Sequence, residues 1–507
     1  MSDARVQVDL DRVIGRVRPE IYGQFLSRRR WVADGALYQP GHPDADDNGL
    51  RATVVDAVRE LAPPVARWPG GCTGTSYEWT YGVGPAEQRS RTMDWHFGYD
   101  VDNGFGTAEF VRFCRAVGAE PQINLTTGTG TMREALAWLE YANARTDSHW
   151  ANLRRSHGYP EPFDVRYWQI GNEDWGEWEI GRVTAEENAR RCREWARALH
   201  KLDPRVAVLA VGAWRPDLAV DWNLPLLREA WDDLDYLTVH TYWRFDPTQP
   251  DGDYDRLIAV TDAEEDAIRA LRGLIDLVAR ERRSTHRPML AFTEWNCADI
   301  TRKEMSPRWR PSDSQYRMVD AAVVAAFLNV LQRQCDTVGL ANFAQTINVV
   351  GALLVTDDAV VRETVYWPLW MHRHHSGPVA VPAVVSGPRV SAQAWNGDPV
   401  SVPALDVSAT RDDSGHTVWI SMVNRDREQD LTVELATPGA RSTGPARVIT
   451  LSGDSPLSAN TLAEPDAVAP VTRESDLAAS PVVTLPACSH TIIQLPITGV
   501  AEVRRAG

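Results

Sequence analysis

Two glutamates each close an apolar run on a polar stop. "YWQIGNED" carries Asn172, Glu173 and Asp174 directly after a β-rich stretch, and "AFTEWNC" carries Glu294 with Asn296 two residues on. A carboxylate at the end of a buried strand is held in a fixed place. Two of them aimed into one cavity can divide acid and nucleophile work between them. One protonates a leaving oxygen while the other attacks, or positions water at, an anomeric carbon, and a neighbouring Asn holds a hydroxyl beside the reacting bond. A lone Glu is most often a solvated loop residue. The pairing sets these two apart, and so do the aromatics: 18 of the 20 tryptophans precede residue 376. Flat rings suit the C–H faces of sugars, although most of these rings are expected to fill cores.

Such a pair needs elements that carry distant residues to one mouth. Up to about residue 375 the chain alternates short β-rich runs with helical patterns. The runs are "EIYGQFL" (20–26), "VARWP" (65–69), "EPQINL" (120–125), "RYWQIGN" (166–172), "AVLAVGA" (207–213), "DYLTVHTY" (235–242), "PMLAFTEWN" (288–296) and "GLANFAQ" (339–345). Residues 184–202 read as a helix opened by a Thr184–Glu187 capping box. Residues 262–283 have apolar positions at helical spacing, and 315–334 are apolar almost all round, which predicts a buried helix. Eight strand–helix repeats predict a (β/α)₈ barrel, whose active site lies at the C-terminal ends of the strands. An open doubly wound sheet shares the local periodicity. A long insertion, "GVGPAEQRSRTMDWHFGYDVDNGFG", follows the second run and is expected to build the mouth.

Beyond "HRHHSGPVAVPAVVSGPRV" the texture changes to alternating runs such as "HTVWISMVNR", "DLTVELA" and "HTIIQLP", separated by Gly, Pro, Ser and Asp. That pattern predicts an all-β sandwich of jelly-roll type. The expected organisation is a catalytic barrel over 15–375 and a β-sandwich over 376–507. The short strand in 1–14 is expected to join the sandwich, since chain ends often lie close together.

The length of 507 residues fits two domains. A net charge of −16 disfavours nucleic acid and anionic membranes as partners. No run approaches the ~20 apolar residues of a membrane span, and the N-terminus has no apolar leader core. A cytoplasmic location is the expectation. Six scattered cysteines form no C-x-x-C pair, so no zinc or redox motif is visible, and no cofactor or metal is expected.

The ordered set "IYGQFL", "LYQPGHPDADDNGLRATVVDAVRELAPPVARWPGG", "YEWTYGVGP", "GTAEFVRFCRAVGAEP", "YWQIGNED", "VHTYW", "TEWN" and "AQTINVV" resembles glycoside hydrolase family 51, known for α-L-arabinofuranosidases. The resemblance implies a retaining mechanism with Glu173 as acid/base and Glu294 as nucleophile. It places Arg67, Cys72, Asn172, Tyr242, Gln345, Ser27, Trp175 and His240 around the sugar, and it implies a homo-oligomer, often a hexamer. The chain departs from the family at three places: Gln24 where the family has His, Ser27 where it has a sugar-binding Glu, and Cys72 where it has Asn. The resemblance makes exo-acting release of a terminal α-L-arabinofuranosyl residue the leading expectation; loss of the Glu and Asn ligands, each worth ~1.5–3 kcal/mol when charged, points to the alternative of an altered sugar preference, such as a galactofuranoside or D-arabinofuranoside.

Other readings follow from single motifs. "TTGTGTMREAL" (126–136) hints at a dinucleotide loop but lacks the third Gly and the acidic strand end. "HRHH" (372–375) offers metal ligands but fits an interdomain loop better. An endo-β-glucanase or β-xylosidase shares the expected fold, and a non-catalytic sugar-binding protein would keep the pocket without turnover.

Overall fold

The computed structural model describes residues 2–243, 250–297, 316–394 and 396–499. Gln315, at the head of the third predicted helix, lies outside them. Eight strands close into a barrel, each falling on one of the eight runs: Gly23–Phe25, Val65–Trp68, Glu120–Leu125, Tyr167–Ile170, Ala207–Val211, Tyr236–Trp243, Met289–Cys297 and Val338–Ala344. All eight pairings are parallel, neighbours in sequence are neighbours in space, and the eighth strand closes on the first. The open-sheet alternative is thereby excluded.

Strand periodicity explains how the barrel becomes polar toward one end. Val65, Tyr167, Leu209, Tyr236, Ala291 and Leu340 pack together as one apolar layer. Two residues further along, on the same strand faces, come Arg67, Gln169, Thr238 and Asn342, all buried. Outside, the rings of Trp68, Trp138 and Trp168 are fully buried and pack edge to face. Among the described residues, nine of the 18 tryptophans that precede residue 376 are buried.

The helix Ala185–Leu202 carries the predicted capping box: Thr184 N–H donates to Glu187 at 2.9 Å, and Glu187 N–H donates to the Thr184 hydroxyl at 3.3 Å. The helix Met318–Arg333 is buried from Met318 to Gln332, as its composition predicts. The helix Pro250–Arg282 begins well before the periodicity at 262.

The β-rich remainder forms two sheets. One orders Ala383–Ser386, Ala4–Val8, Leu431–Ala436 and Val482–Leu485. The other orders Gly15–Arg16, Val379–Val381, Leu405–Arg411, Thr417–Asn424, Ser489–Pro496, Ala446–Leu451 and Val471–Ser475. The N-terminal segment therefore supplies a strand to each. Val6, Val8, Val407, Ile420, Met422 and Val433 share the core between them.

Helix Met318–Arg333 lies against the second sheet through polar groups. Asn329 Nδ2 donates to Asp406 at 2.7 Å, Ser408 donates to Gln332 at 2.6 Å, and Arg333 bridges Asp406 at 3.0 Å and Glu265 at 2.8 Å. His372, from the "HRHH" run, ends up on the helix Tyr366–His374, fully buried and 3.1 Å from Asn329. Its ring stacks on His490 of the sandwich at 4.9 Å. These contacts make His372 part of the seam between barrel and sandwich.

Candidate active site

The fourth strand ends at Ile170, and the chain turns at once. Gly171 has φ +81°, and a Cβ there would lie 2.6 Å from Asp174 Oδ2, so only glycine fits. Asp174 is buried and pins the turn, accepting from Asn172 N–H at 3.1 Å and the Thr127 hydroxyl at 3.0 Å, with Arg191 at 2.8 Å. Glu173 is left with φ +47°, a strained conformation for a non-glycine residue. The polar stop in the sequence thus has two parts: Asp174 holds the turn, and Glu173 is what the turn presents.

On the seventh strand the register shifts opposite Val239/His240, so that His240 pairs with Glu294. Such irregularities re-aim side chains at functional sites. Glu294 is 8% exposed and is gripped on both oxygens, by Arg67 Nη1 at 2.7 Å and by the Tyr242 hydroxyl at 2.6 Å. Burial opposes its ionisation, but the pull of His240 and Arg67 and the Tyr242 hydrogen bond outweigh burial and hold the carboxyl below its usual range. Burial and the Glu294 charge push the Tyr242 phenol well up, so it stays a donor. Gly71 approaches so closely that a Cβ there would sit 2.5 Å from Glu294 Oε1. That contact accounts for the second Gly of "WPGG".

Glu173 is held differently. His240 Nδ1 meets its Oε1 at 2.8 Å, and Trp178 Nε1 donates to its Oε2 at 2.9 Å. The other His240 nitrogen meets the Thr293 hydroxyl at 2.9 Å. Ligating atoms of Glu173, His240 and Glu294 all lie within 4.8 Å of one another. The two carboxylates therefore face each other at short range, one neutralised by a buried arginine and the other contacted by a histidine and an indole. This asymmetry is what a nucleophile and a proton donor need.

Most of the sequence-derived residues converge here. Arg67 is fully buried and ties Glu294 to Asn172, whose Oδ1 it reaches at 2.6 Å. Ser27 and Gln345 pair with each other, Ser27 N–H donating to Gln345 Oε1 at 3.4 Å, while the Ser27 hydroxyl accepts the Arg29 N–H at 3.3 Å. Trp175 spends its indole N–H on the Gly212 carbonyl at 3.1 Å and stands edge-on to Trp178 at 5.3 Å.

Sequence reasoning missed two groups beside Cys72. Glu179, 6% exposed, receives Asn172 Nδ2 at 3.2 Å, and His96 comes in from the long insertion. Glu179 is the fourth carboxylate within the "NEDWGEWE" loop, which was the available signal. Burial and then the charge of Glu173 push it up to about 8. The first glycine of "TTGTG" serves this same loop. A Cβ on Gly128 would lie 2.1 Å from the Ile180 carbonyl, so the motif is a site of backbone packing.

A family model described as the α-L-arabinofuranosidase 1 domain matches residues 57–256, and one described as the α-L-arabinofuranosidase C-terminal domain matches residues 293–489. The α-L-arabinofuranosidase C of Emericella nidulans is 34% identical over 470 residues, 90% of either chain. An intracellular exo-α-(1→5)-L-arabinofuranosidase of Halalkalibacterium halodurans is 31% identical over 442 residues, covering 85% of this chain and 86% of that one. The α-L-arabinofuranosidase of Thermotoga maritima, solved in complex with arabinose, superposes with a TM-score of 0.88 at 32% identity, over 98% of this chain and 100% of that one. With the barrel, the sandwich and the facing carboxylates in place, the chain belongs to glycoside hydrolase family 51, the retaining α-L-arabinofuranosidase family.

Proposed function

We propose that this glycoside hydrolase releases terminal α-L-arabinofuranosyl residues, with Glu173 as acid/base and Glu294 as nucleophile. The observation that carries the reading is the asymmetry of the pair: oxygens within 4.8 Å, with Arg67 and Tyr242 on Glu294 and His240 and Trp178 on Glu173. Retaining enzymes hold the two carboxyl groups ~5–5.5 Å apart, whereas inverting ones leave ~6.5–9.5 Å for a water. In the first step Glu294 attacks the anomeric carbon and Glu173 gives its proton to the departing oxygen. In the second, Glu173 takes a proton from water, which attacks the same carbon and frees Glu294. Asn172, Tyr242, Gln345, Ser27, Cys72 and Trp175 line the sugar's surroundings in this reading, and Arg67 and His240 set the carboxylates. The exo action and an intracellular setting are supported by the Halalkalibacterium relative's name. Homo-oligomeric assembly rests on family resemblance and is tested by light scattering.

A second reading keeps the chemistry and changes the sugar. It is favoured by the Ser27 hydroxyl being turned onto the Arg29 backbone and by Cys72 facing Glu179 and His96. A panel of aryl furanosides with wild type, Glu173→Ala and Glu294→Ala, each with and without azide, tests both. L-arabinofuranoside far ahead of all others supports the first reading, and a galactofuranoside or D-arabinofuranoside ahead supports the second. No turnover of any furanoside refutes both.

A further inference from the structure

The proposed reaction assigns no step to His96 or Glu179, yet these residues and Cys72 converge from three separate places. Cys72 follows the second barrel strand, His96 sits in the long insertion, and Glu179 lies beyond the fourth strand. The thiol sulfur, an imidazole nitrogen and a carboxylate oxygen all lie within 4.8 Å of one another. We propose that Cys72, His96 and Glu179 form a site for one thiophilic divalent cation, Zn²⁺ or Cd²⁺, in the wall of the catalytic mouth, and that its occupancy blocks hydrolysis.

The donor set and its surroundings are those of a metal site. A thiolate, an imidazole and a carboxylate make a three-ligand zinc site with one open position, and the sulfur selects against Mg²⁺ and Ca²⁺. Glu179 is 6% exposed, and its Oε2 meets no N–H or O–H donor among the described residues, the Cys72 thiol being the group set against this carboxylate. A buried carboxylate oxygen left so is costly unless something fills the gap. Its other oxygen is held by Asn172, which Arg67 holds in turn, an outer layer of the kind that fixes metal ligands. Asp94 accepts the N–H groups of His96 at 3.0 Å and Phe97 at 2.9 Å and so sets the loop that carries the imidazole. Cys72 and His96 are only half-buried, which leaves an entry path.

Bonds of ~2.0–2.3 Å place tetrahedral zinc ligands ~3.3–3.8 Å apart. The three groups must therefore draw together by up to about 1–1.5 Å, which side-chain rotation on two loops supplies. Binding exchanges protons for the metal. Burial raises the Cys72 thiol well above its usual value, and Glu179 is pushed up to about 8, so both release a proton to solvent. The charged groups facing the site are Glu173 toward all three residues, Glu294 toward Glu179 and Cys72, Arg29 toward Cys72 and His96, and Asp94 toward His96.

The test is calorimetry of the metal-stripped full chain with Zn²⁺, alongside Co²⁺ absorption. One ion per chain is expected, with a thiolate-to-Co²⁺ band that Cys72→Ser removes. His96→Ala and Cys72→Ser should each weaken Zn²⁺ binding ~10–100-fold, while Glu294→Ala changes it less than about threefold. His96 lies on a loop, so its variant serves if Cys72→Ser fails to fold. No stoichiometric binding overturns the proposal. So does binding that survives Cys72→Ser and disappears in Glu294→Ala, since the ion would then sit on Glu173, His240 and Glu294. Inhibition is read as competition against whichever furanoside is turned over. The binding measurements need no substrate and stand apart from the sugar assignment.

Discussion

The catalytic mouth and the seam between barrel and sandwich both bury arginine against carboxylate, yet their charges are arranged in opposite ways. At the seam, Asp406 is shared by Arg333 at 3.0 Å and Arg425 at 3.2 Å, and each arginine takes a further carboxylate, Glu265 at 2.8 Å and Asp262 at 2.6 Å. Cation and anion alternate, and His372 stays neutral because burial lowers it to about 4. At the mouth three carboxylates, Glu173, Glu294 and Glu179, crowd together, and Arg67 reaches only Glu294 among them. Alternation stabilises a junction. His240, Arg67 and Tyr242 keep Glu294 ionised, whereas burial and the Glu173 charge keep a proton on Glu179, an arrangement held at a cost in stability.

Variants on the two sides should separate activity from stability. The largest effect is expected for Glu294→Ala: kcat falls on the order of 10⁴-fold or more, while the buried Arg67, which loses its carboxylate but keeps the Thr293 carbonyl and Asn172, limits the fall in thermal midpoint. Asp406→Ala is the counterpart. It leaves the buried Arg425 and the partly buried Arg333 short of a partner and should cost roughly 3–5 kcal/mol in denaturant unfolding, while the folded fraction keeps its kcat. An Asp406→Ala enzyme as stable as wild type would show that the seam is not held by these charges.

The pH dependence should have opposite signs in the two regions. His372 titrates at about 4 folded against 6.5 in its ordinary state, so between these values the unfolded chain binds the extra proton and stability falls as pH falls. Glu179 titrates at about 8 against 4.5, so the folded chain keeps a proton that the unfolded chain has lost. Its contribution is complete below pH 4.5 and is lost as pH rises through 8. At ~1.4 kcal/mol per unit, each contributes a few kcal/mol. Unfolding curves at pH 5, 7 and 8.5 should therefore show His372→Gln flattening the acid side and Glu179→Gln flattening the alkaline side.

Two smaller changes refine the mouth. Gly71→Ala pushes a methyl into Glu294 and should lower kcat ~10²-fold, the scale of a misplaced reacting group. Trp178→Phe removes one donor from Glu173 at a half-exposed position and should cost ~0.5–1.5 kcal/mol in kcat/KM.

The same contrast explains what the sequence discloses. Strand ends carrying Glu173 and Glu294 are legible because an apolar run that stops on a carboxylate is a local pattern, and the Thr184–Glu187 cap is local too. The eight barrel runs follow from period and length. The cation–anion alternation at the seam was not legible, because Asp406 and Arg333 meet only through tertiary packing. Glu179 and His96 escaped notice for a related reason: they lie on loops without periodicity, and only the turn fixed by Gly171 and Asp174 and the packing at Gly128 bring them to Cys72. Trp175 and Trp178 read alike in sequence, and only geometry distinguishes the one that touches Glu173 from the one that bonds Gly212.

The division of labour between the two carboxylates is tested most directly by trapping the covalent intermediate. Glu173→Ala enzyme incubated with an aryl furanoside bearing a good leaving group should accumulate a glycosyl ester, because the base for the second step is gone. Peptide mapping by mass spectrometry is expected to place the sugar on Glu294. A sugar found on another residue, or turnover that gives product of inverted configuration with no adduct, would contradict the account.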